Sequence, residues 1–186
     1  MKKGELNKGG FTIIEVVLVL AVAGLIFIMV FVALPALQRS QRDNDRRDDM
    51  MDFIGKVKQS QTNNRGALPK GAPVDVTAAS GGNANEWGGF YRDYLGNRFM
   101  DPDGEAYKLK VVECYSSKAT DGSPCADDVV EMLSVVKNGK FPYENYSLLV
   151  VTKAKCNGTE IVASNNPRNL AVTYRLEGAG SFCDAT

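Results

Sequence analysis

The chain has 186 residues, of which 44% are apolar and 24% are charged, and its 22 Lys and Arg balance its 22 Asp and Glu. This is the usual composition of one compact domain. A net charge of zero gives no electrostatic case for nucleic acid or an acidic lipid surface as the main partner. The chain has no histidine, which excludes Ser-His-Asp and Cys-His catalysis and any zinc site with histidine ligands.

The N-terminus combines a basic leader with a long apolar run. Residues 1–10 carry three lysines against one glutamate, and residues 16–37 contain no charged or hydrogen-bonding side chain. As a helix this run spans about 33 Å, against about 30 Å for the hydrocarbon core of a bilayer. It is too long for a secretory signal peptide, and no small-residue cleavage site follows it. We therefore predict one membrane span at residues 11–37, with the leader in the cytoplasm.

Glu15 places an acidic side chain at the start of this apolar segment. A carboxylate at the centre of a membrane helix costs about 2.5–3.5 kcal/mol, and less near an interface, so Glu15 should be protonated or have a partner. Cutting the Gly10–Phe11 bond would leave an ammonium on Phe11. One helix cannot easily fold its own N-terminus back onto a side chain four residues on, so we expect the amine of a neighbouring chain to pair with Glu15.

The same segment resembles the signal of a known protein family. The residues that carry the resemblance are Lys8-Gly9-Gly10-Phe11-Thr12-Ile13-Ile14-Glu15, followed by the apolar run. They are similar to the class III signal sequence of type IV pilins and pseudopilins. The resemblance implies that a prepilin peptidase cuts after Gly10, that Phe11 becomes N-methylated, and that Glu15 pairs with a neighbour's amine during filament assembly. It also implies other pilin subunits, an inner-membrane assembly platform and, before assembly, membrane lipid as partners.

One departure from the family concerns the flexibility of the helix. Many pilins carry a helix-breaking proline early in the mature chain, at the position that Val32 occupies here, and the first proline of this sequence is Pro35. Gly24 matches a glycine at which the helix often loosens in that family. We therefore predict that any melted segment in a filament lies between Gly24 and Pro35.

The residues after the span continue the helix, which we predict to run over 11–62, about 78 Å if uninterrupted. Residues 38–49 contain four Arg and four Asp and no apolar residue, which predicts a solvated face with weak side-chain pairs, or charges that pair between subunits. An apolar stripe follows at helical spacing and should cover a sheet. The stripe consists of Met50, Phe53, Ile54 and Val57.

A loop rich in Gly, Pro and Asn is predicted over 63–105, a position that resembles the variable loop of pilins. Its aromatic residues, Trp87, Phe90, Tyr91 and Tyr94, should pin the loop to the domain. Asp101, Asp103 and Glu105 are weak calcium-ligand candidates, and major pseudopilins bind calcium in this general region. However, Asp-Pro-Asp-Gly is also an efficient turn before a strand.

The remainder, 106–186, is predicted to form an antiparallel sheet. Strand patterns occupy 106–114, 147–155, 159–163 and 170–176, and a short helix is possible over 126–137. The predicted fold class is therefore α+β, with one long helix packed on a roughly four-stranded antiparallel sheet, similar to pilins.

Four cysteines lie beyond the membrane span, at Cys114, Cys125, Cys156 and Cys183. An even number in an exported region, without a CxxC pair, favours disulfides over a metal site or free thiols. Of the three connectivities we prefer Cys114–Cys125, which closes a local loop, with Cys156–Cys183, which ties the C-terminal tail to the sheet. The second resembles the disulfide-bounded C-terminal loop of many pilins.

These observations favour a structural subunit of a type IV pilus, first in the cytoplasmic membrane with its N-terminus inside and then in an extracellular filament. No set of residues forms a candidate active site, and we expect no enzymatic activity and no cofactor. The runner-up is a type II secretion pseudopilin. A third possibility is an ordinary signal-anchored surface protein, in which Glu15 only marks the cytoplasmic end of the span. Adhesion, motility and DNA uptake all remain open.

Overall fold

The computed structural model describes residues 10–72, 74–77, 86–114, 121–125, 147–177 and 180–186. The chain is α+β and divides into two compact units, Met1–Ser40 and Gln41–Thr186. The long helix α1, Ile13–Asn63, contributes to both units. Its existence confirms the long N-terminal helix predicted from the apolar run and the stripe that follows it.

In the first unit the apolar side chains of α1 are exposed; Leu20, for example, is 66% exposed and Phe31 72%. Part of this helix has a mean hydropathy of 3.2 and is long and apolar enough to cross a membrane. Pro35 lies inside the helix without ending it, although its ring removes one backbone donor. An α-helix satisfies its backbone hydrogen bonds internally, as a membrane span requires.

The second unit contains a five-stranded sheet and a two-stranded sheet. The larger sheet has the strand order β1-β2-β3-β6-β7, and β4 pairs with β5. The strands are β1 Val74–Val76, β2 Lys108–Glu113, β3 Ser147–Thr152, β4 Ala154–Asn157, β5 Glu160–Ala163, β6 Leu170–Leu176 and β7 Gly180–Ala185.

The fully antiparallel sheet predicted from the sequence is wrong for one pair of strands. β2 and β3 are parallel, with Lys108 opposite Ser147. The other neighbouring strands of this sheet are antiparallel. A parallel pair needs a connection of a dozen or more residues, and residues 114–146 supply that length. The predicted helix at 126–137 falls in this connection and lies outside the described residues.

The continuous strand predicted over 147–155 is also wrong. Lys153 has φ of 55° and separates β3 from β4. A positive φ at a non-glycine residue breaks the extended conformation, so the chain leaves the larger sheet here and enters the smaller one. Two strands of the larger sheet, β1 and β7, were not predicted, because the alternation of apolar and polar residues along them is too weak.

The segment predicted as a loop over 63–105 contains local structure besides β1. A short helix α2, Glu86–Phe90, continues as a π-helical turn, Tyr91–Leu95, and a 3₁₀ turn, Gly96–Arg98. Of its aromatic residues, Trp87, Phe90 and Tyr91 are buried and belong to the main core. The prediction that aromatic side chains pin this segment to the domain is therefore confirmed.

The larger sheet is apolar on both faces. Val111, Val150 and Val172 join the cluster that contains α1 and the aromatic segment. Their neighbours in sequence, Val112 and Val151, join a second cluster with β4 and β5. Because side chains alternate along a strand, this division places α1 on one face of the sheet and the β4–β5 pair on the other. The apolar stripe predicted on α1, Met50, Phe53, Ile54 and Val57, is buried in the first cluster.

Candidate functional site

The junction between Gly10 and Glu15 is an exposed segment that leads into α1. Gly10, Phe11 and Thr12 precede the helix, and Phe11 is 88% exposed. The peptide bond proposed as the cleavage site is therefore in an accessible, non-helical stretch. Phe11 and Glu15 both lie within one turn of the helix start at Ile13, and the cleavage and assembly roles stay predictions.

Glu15 caps its own helix. The backbone N and Oγ1 of Thr12 donate to Oε2 of Glu15 at 3.3 and 3.2 Å, and the backbone N of Glu15 donates back to Oγ1 of Thr12 at 3.4 Å. This reciprocal pattern is a capping box, in which a threonine and a glutamate three residues later satisfy free helical N–H groups. Oε1 of Glu15 accepts no hydrogen bond from the described residues.

The residues predicted to give the helix flexibility are both inside α1. A Cβ on Gly24 would have no atom within 4 Å, so packing does not require glycine at this position. The helix is continuous through Gly24 and Pro35. The loosening of this segment stays a prediction for the assembled state.

A buried ion-pair cluster surrounds Arg46, of which only 3% is exposed. Its Nε and Nη2 donate to the two carboxylate oxygens of Asp101, at 2.7 and 2.9 Å. Nη1 donates to Glu177 at 2.6 Å, and Nη2 also donates to Asp103 at 3.0 Å. Asp43, three residues earlier on α1, lies 3.6 Å from Nη1. One guanidinium thus joins α1 to the turn before β2 and to the residue after β6.

Tyr174 and Arg42 extend this cluster. The Tyr174 hydroxyl donates to Asp101 at 3.1 Å, and its ring lies 5.7 Å from the guanidinium carbon of Arg46. Burial raises the pKa of Asp101, but hydrogen bonds from Arg46, the Asp103 backbone and Tyr174, with the charge of Arg46, together outweigh that effect and hold the pKa below its usual value. Two hydrogen bonds from Arg42 lower the pKa of Glu177 to about 2, despite partial burial, and Arg46 adds to this effect.

The ion-pair cluster includes two of the three weak calcium-ligand candidates, Asp101 and Asp103. Gly104 N donates to the Asp101 carbonyl at 2.7 Å and Asp103 N donates to the Asp101 carboxylate at 3.0 Å, which is the geometry of a turn. The side chains of Asp101 and Asp103 bind Arg46 instead of converging on an open site. Glu105 contributes its carbonyl, which accepts from Asp101 N at 2.7 Å. Within the described part of the chain, no group of three or more acidic, cysteine or histidine side chains is placed to hold a metal ion.

Two disulfides join the pairs that the sequence favours. Cys114–Cys125 has a Cα separation of 5.1 Å and is buried, and Cys156–Cys183 has a Cα separation of 6.0 Å. The second bridge connects β4 to β7, so it fastens the two-stranded sheet to the edge strand of the larger sheet. Both bridges belong to the second unit.

The solvated face predicted for residues 38–49 is wrong at Asp43 and Arg46, which are buried, because Arg46 pairs with Asp101 and Glu177. This cluster and the cap at Glu15 were not predicted, although each has a sequence signal. The capping box is visible as Thr12 followed by Glu15 three residues later. Arg46 lies four residues before Met50, so extending the apolar stripe back by one turn places it on the buried face.

Comparison with known proteins identifies no relative of this chain. No protein-family model, curated protein or solved structure matches the chain. The functional interpretation therefore depends on the N-terminal motif and on the geometry described above.

Proposed function

We propose that this chain is a structural subunit of a type IV pilus, processed by a prepilin peptidase and assembled from the cytoplasmic membrane into a helical surface filament. The observation that carries the proposal is the exposed apolar surface of α1 as far as Leu37, with Glu15 at its start. An apolar surface of this extent needs lipid or neighbouring chains to cover it. The membrane supplies lipid before assembly, and the filament core then supplies neighbouring chains.

The geometry of Glu15 is compatible with a partner from another subunit. Its Oε2 accepts the capping bonds from Thr12, whereas Oε1 accepts none from the described residues. An ionised carboxylate has about four acceptor positions. After cleavage, the ammonium of Phe11 on an adjacent chain can therefore bind Oε1 without breaking the cap. The pair offsets part of the desolvation penalty, which is several kcal/mol for each ion.

Cleavage is tested by mass spectrometry of the mature N-terminus. We expect a chain that begins at Phe11 and carries a methyl group on its amine. Loss of the leader, with its three lysines and one glutamate, leaves a net charge of 0 − 2 = −2. A mature protein that retains Met1, or one that begins after Leu37, would contradict the proposal.

Substitutions at Glu15 separate the assembly role from the capping role. Glu15→Val should insert and be cleaved normally but form few filaments, because the neighbour's ammonium is left unpaired. Glu15→Gln keeps an oxygen that accepts the capping bonds but removes the charge, so assembly should still fall sharply. Thr12→Ala removes the hydroxyl of the cap and keeps the charge, so filaments should persist. Electron microscopy of sheared filaments gives the readout, and normal filament yield from Glu15→Val would contradict the pairing role.

The alternatives differ in what they predict. A type II secretion pseudopilin shares the N-terminal motif, but the calcium candidates of this chain are engaged by Arg46, and the Cys156–Cys183 loop is similar to that of pilins. A signal-anchored surface protein needs neither the capped Glu15 nor cleavage before Phe11. Retention of the leader together with the absence of filaments from wild-type cells would favour that anchored protein.

A further inference from the structure

A basic groove lies at the end of the second unit where α1 finishes. It has a volume of about 420 Å³, and it is lined by the segment after α1, by the turn between β3 and β4, and by the turn before β6. Its charged lining residues are Arg65, Lys70, Lys153, Arg168 and Glu113. Four cations therefore face one carboxylate, and Glu113 pairs with Lys153.

The groove continues into a second one of about 360 Å³, which shares Gly66 and Arg168 with it and adds Lys58. A Cβ on Gly66 would lie 2.9 Å from the guanidinium carbon of Arg168, so the glycine lets this guanidinium pack flat against the backbone. In the described part of the chain, the side chains of Lys58, Arg65 and Lys70 form no ion pair. Lys58, Arg65, Lys70 and Arg168 therefore leave the joined grooves with an excess of positive charge, although Glu113 pairs with Lys153.

An acidic stripe lies on α1 of the same unit. Asp45, Asp48, Asp49 and Asp52 are spaced by three and four residues, so their side chains share one face of the helix. Like charges at this spacing destabilise a helix. Asp45, Asp48 and Asp52 are exposed, and none of the ion pairs among the described residues includes them.

Asp49 is the half-buried member of the stripe, and it accepts a hydrogen bond from the Tyr107 hydroxyl at 2.8 Å. Burial raises the pKa of Asp49 and the Tyr107 hydrogen bond lowers it, while the carboxylates of Asp101, Asp45 and Asp52 add to the rise. The stripe therefore carries negative charge that the described part of the molecule does not neutralise, and a cationic partner would relieve it.

We propose that the basic groove of one copy of this chain receives the acidic stripe of the next copy. The proposal deepens the proposed function, since it names a contact between successive subunits of the filament. Charge complementarity selects the occupant: cations predominate in the groove lining, and Asp45, Asp48 and Asp52 of the stripe form no ion pair with the described residues. Lys58 lies ten residues beyond Asp48, about 15 Å along α1. Because the two surfaces occupy different parts of one molecule, their contact is heterologous and propagates into an open assembly when the rotation does not close.

The contact is tested by zero-length crosslinking of the full chain in detergent. Equal amounts of ¹⁴N and ¹⁵N protein are treated with a carbodiimide, which joins a lysine amine to a carboxylate, and crosslinked peptides are identified by mass spectrometry. We expect mixed-isotope crosslinks from Lys58 or Lys70 to the stripe, and we expect about 1 M NaCl to abolish them, since the Debye length is then about 3 Å. Absence of mixed-isotope crosslinks at low salt would overturn the proposal.

Charge reversal gives a compensating pair of variants. Asp48→Lys with Asp52→Lys reverses the stripe, and Lys58→Glu with Arg65→Glu reverses the groove. Each double variant alone should lose crosslinks about tenfold, because like charges then face each other. The chain with all four substitutions has an unchanged net charge and should regain mixed-isotope crosslinks, now from the amines at positions 48 and 52 to the carboxylates at positions 58 and 65.

A matched control reverses two carboxylates that lie off the stripe, Glu105→Lys with Asp184→Lys. It changes the net charge as much as the stripe reversal does and should keep the crosslinks. Crosslinks that fall equally in the control and in the stripe variant would overturn the proposal. Retention of the wild type on immobilised heparin, lost on groove reversal and without mixed-isotope crosslinks, would assign the groove to a polyanion instead.

These experiments distinguish a failure of the groove contact from a failure of the proposed pilus function. Crosslinking in detergent does not depend on the membrane segment, so Glu15→Val should keep the crosslinks while it loses filaments. Normal filaments from both reversed variants would overturn the groove contact only. Crosslinks that survive in a chain that never forms filaments would support the contact and overturn the filament assignment.

Discussion

Arg46 shows how one side chain can unite three parts of the second unit. Its guanidinium is buried and binds Asp101, Asp103 and Glu177. A buried charge in such a cluster depends on its partner, because it has lost its hydration. The cluster therefore makes the position of α1 against the sheet sensitive to single substitutions.

Replacing Arg46 should be more destabilising than replacing Arg42. Arg46→Ala leaves the carboxylate of Asp101 buried without its partner, which typically costs about 3–5 kcal/mol. Arg42→Ala removes a pair whose arginine is accessible to solvent, and solvent screening makes the contribution of such a pair to stability small. Urea unfolding of the full chain in detergent measures both, with the fluorescence of Trp87, the single tryptophan, as the probe. Equal losses in the two variants would show that burial does not set the strength of this cluster.

The same cluster predicts a dependence of stability on acid. Because the pKa of Glu177 is about 2 in the folded chain and about 4.5 when unfolded, the unfolded state binds more protons between these values. Stability from Glu177 is therefore full above about pH 4.5 and is lost as the pH falls towards 2. The raised pKa of Asp49 has the opposite effect on stability, because the folded state then binds more protons and the contribution of Asp49 falls as the pH rises. Glu177→Gln should flatten the fall in unfolding free energy across this window, and an unchanged acid profile would argue against the pairing.

At the scale of elements, the sequence predicts those that have a strong period and misses those set by tertiary context. The apolar stripe from Met50 to Val57 and the alternation of β6 predict α1 and β6 correctly. The parallel pairing of β2 with β3 is not encoded in either strand, since it depends on how the chain between them returns. The break at Lys153 escapes prediction because lysine carries no local signal for a positive φ.

The disulfides make a prediction about how elements are fastened. Cys156–Cys183 spans 27 residues and is partly exposed, whereas Cys114–Cys125 spans 11 residues and is buried. Mild reduction should therefore open Cys156–Cys183 first and lower the stability by about 3 kcal/mol, the loop-entropy value for bridges of this size. Differential alkylation and peptide mapping identify the bridge that opens. Earlier opening of Cys114–Cys125 would show that the buried cluster around it is more dynamic than the β4–β7 connection.

On the scale of the whole molecule, the two units divide the tasks that the chain is proposed to perform. The first exposes apolar surface for lipid or neighbouring helices, and the second contains the described hydrophobic core and both disulfides. The sequence predicts this division, because the composition changes abruptly after Leu37. It does not predict the basic groove of the second unit, since Lys58 and Arg168 become neighbours only through the fold.

This division predicts that the fragment 41–186 folds without the apolar segment. Met50 is the first residue of the two core clusters, and the ion-pair cluster needs nothing before Arg42. The fragment should unfold cooperatively in urea, keep Trp87 in an apolar environment and retain the Cys114–Cys125 and Cys156–Cys183 pairs by non-reducing peptide mapping. A matched fragment, 51–186, keeps most of the apolar stripe but lacks Arg46, so it should lose about 3–5 kcal/mol or fail to fold, since Asp101 is left buried without its partner. Aggregation of oxidised 41–186, or equal stability of the two fragments, would contradict this account of how the second unit is held together.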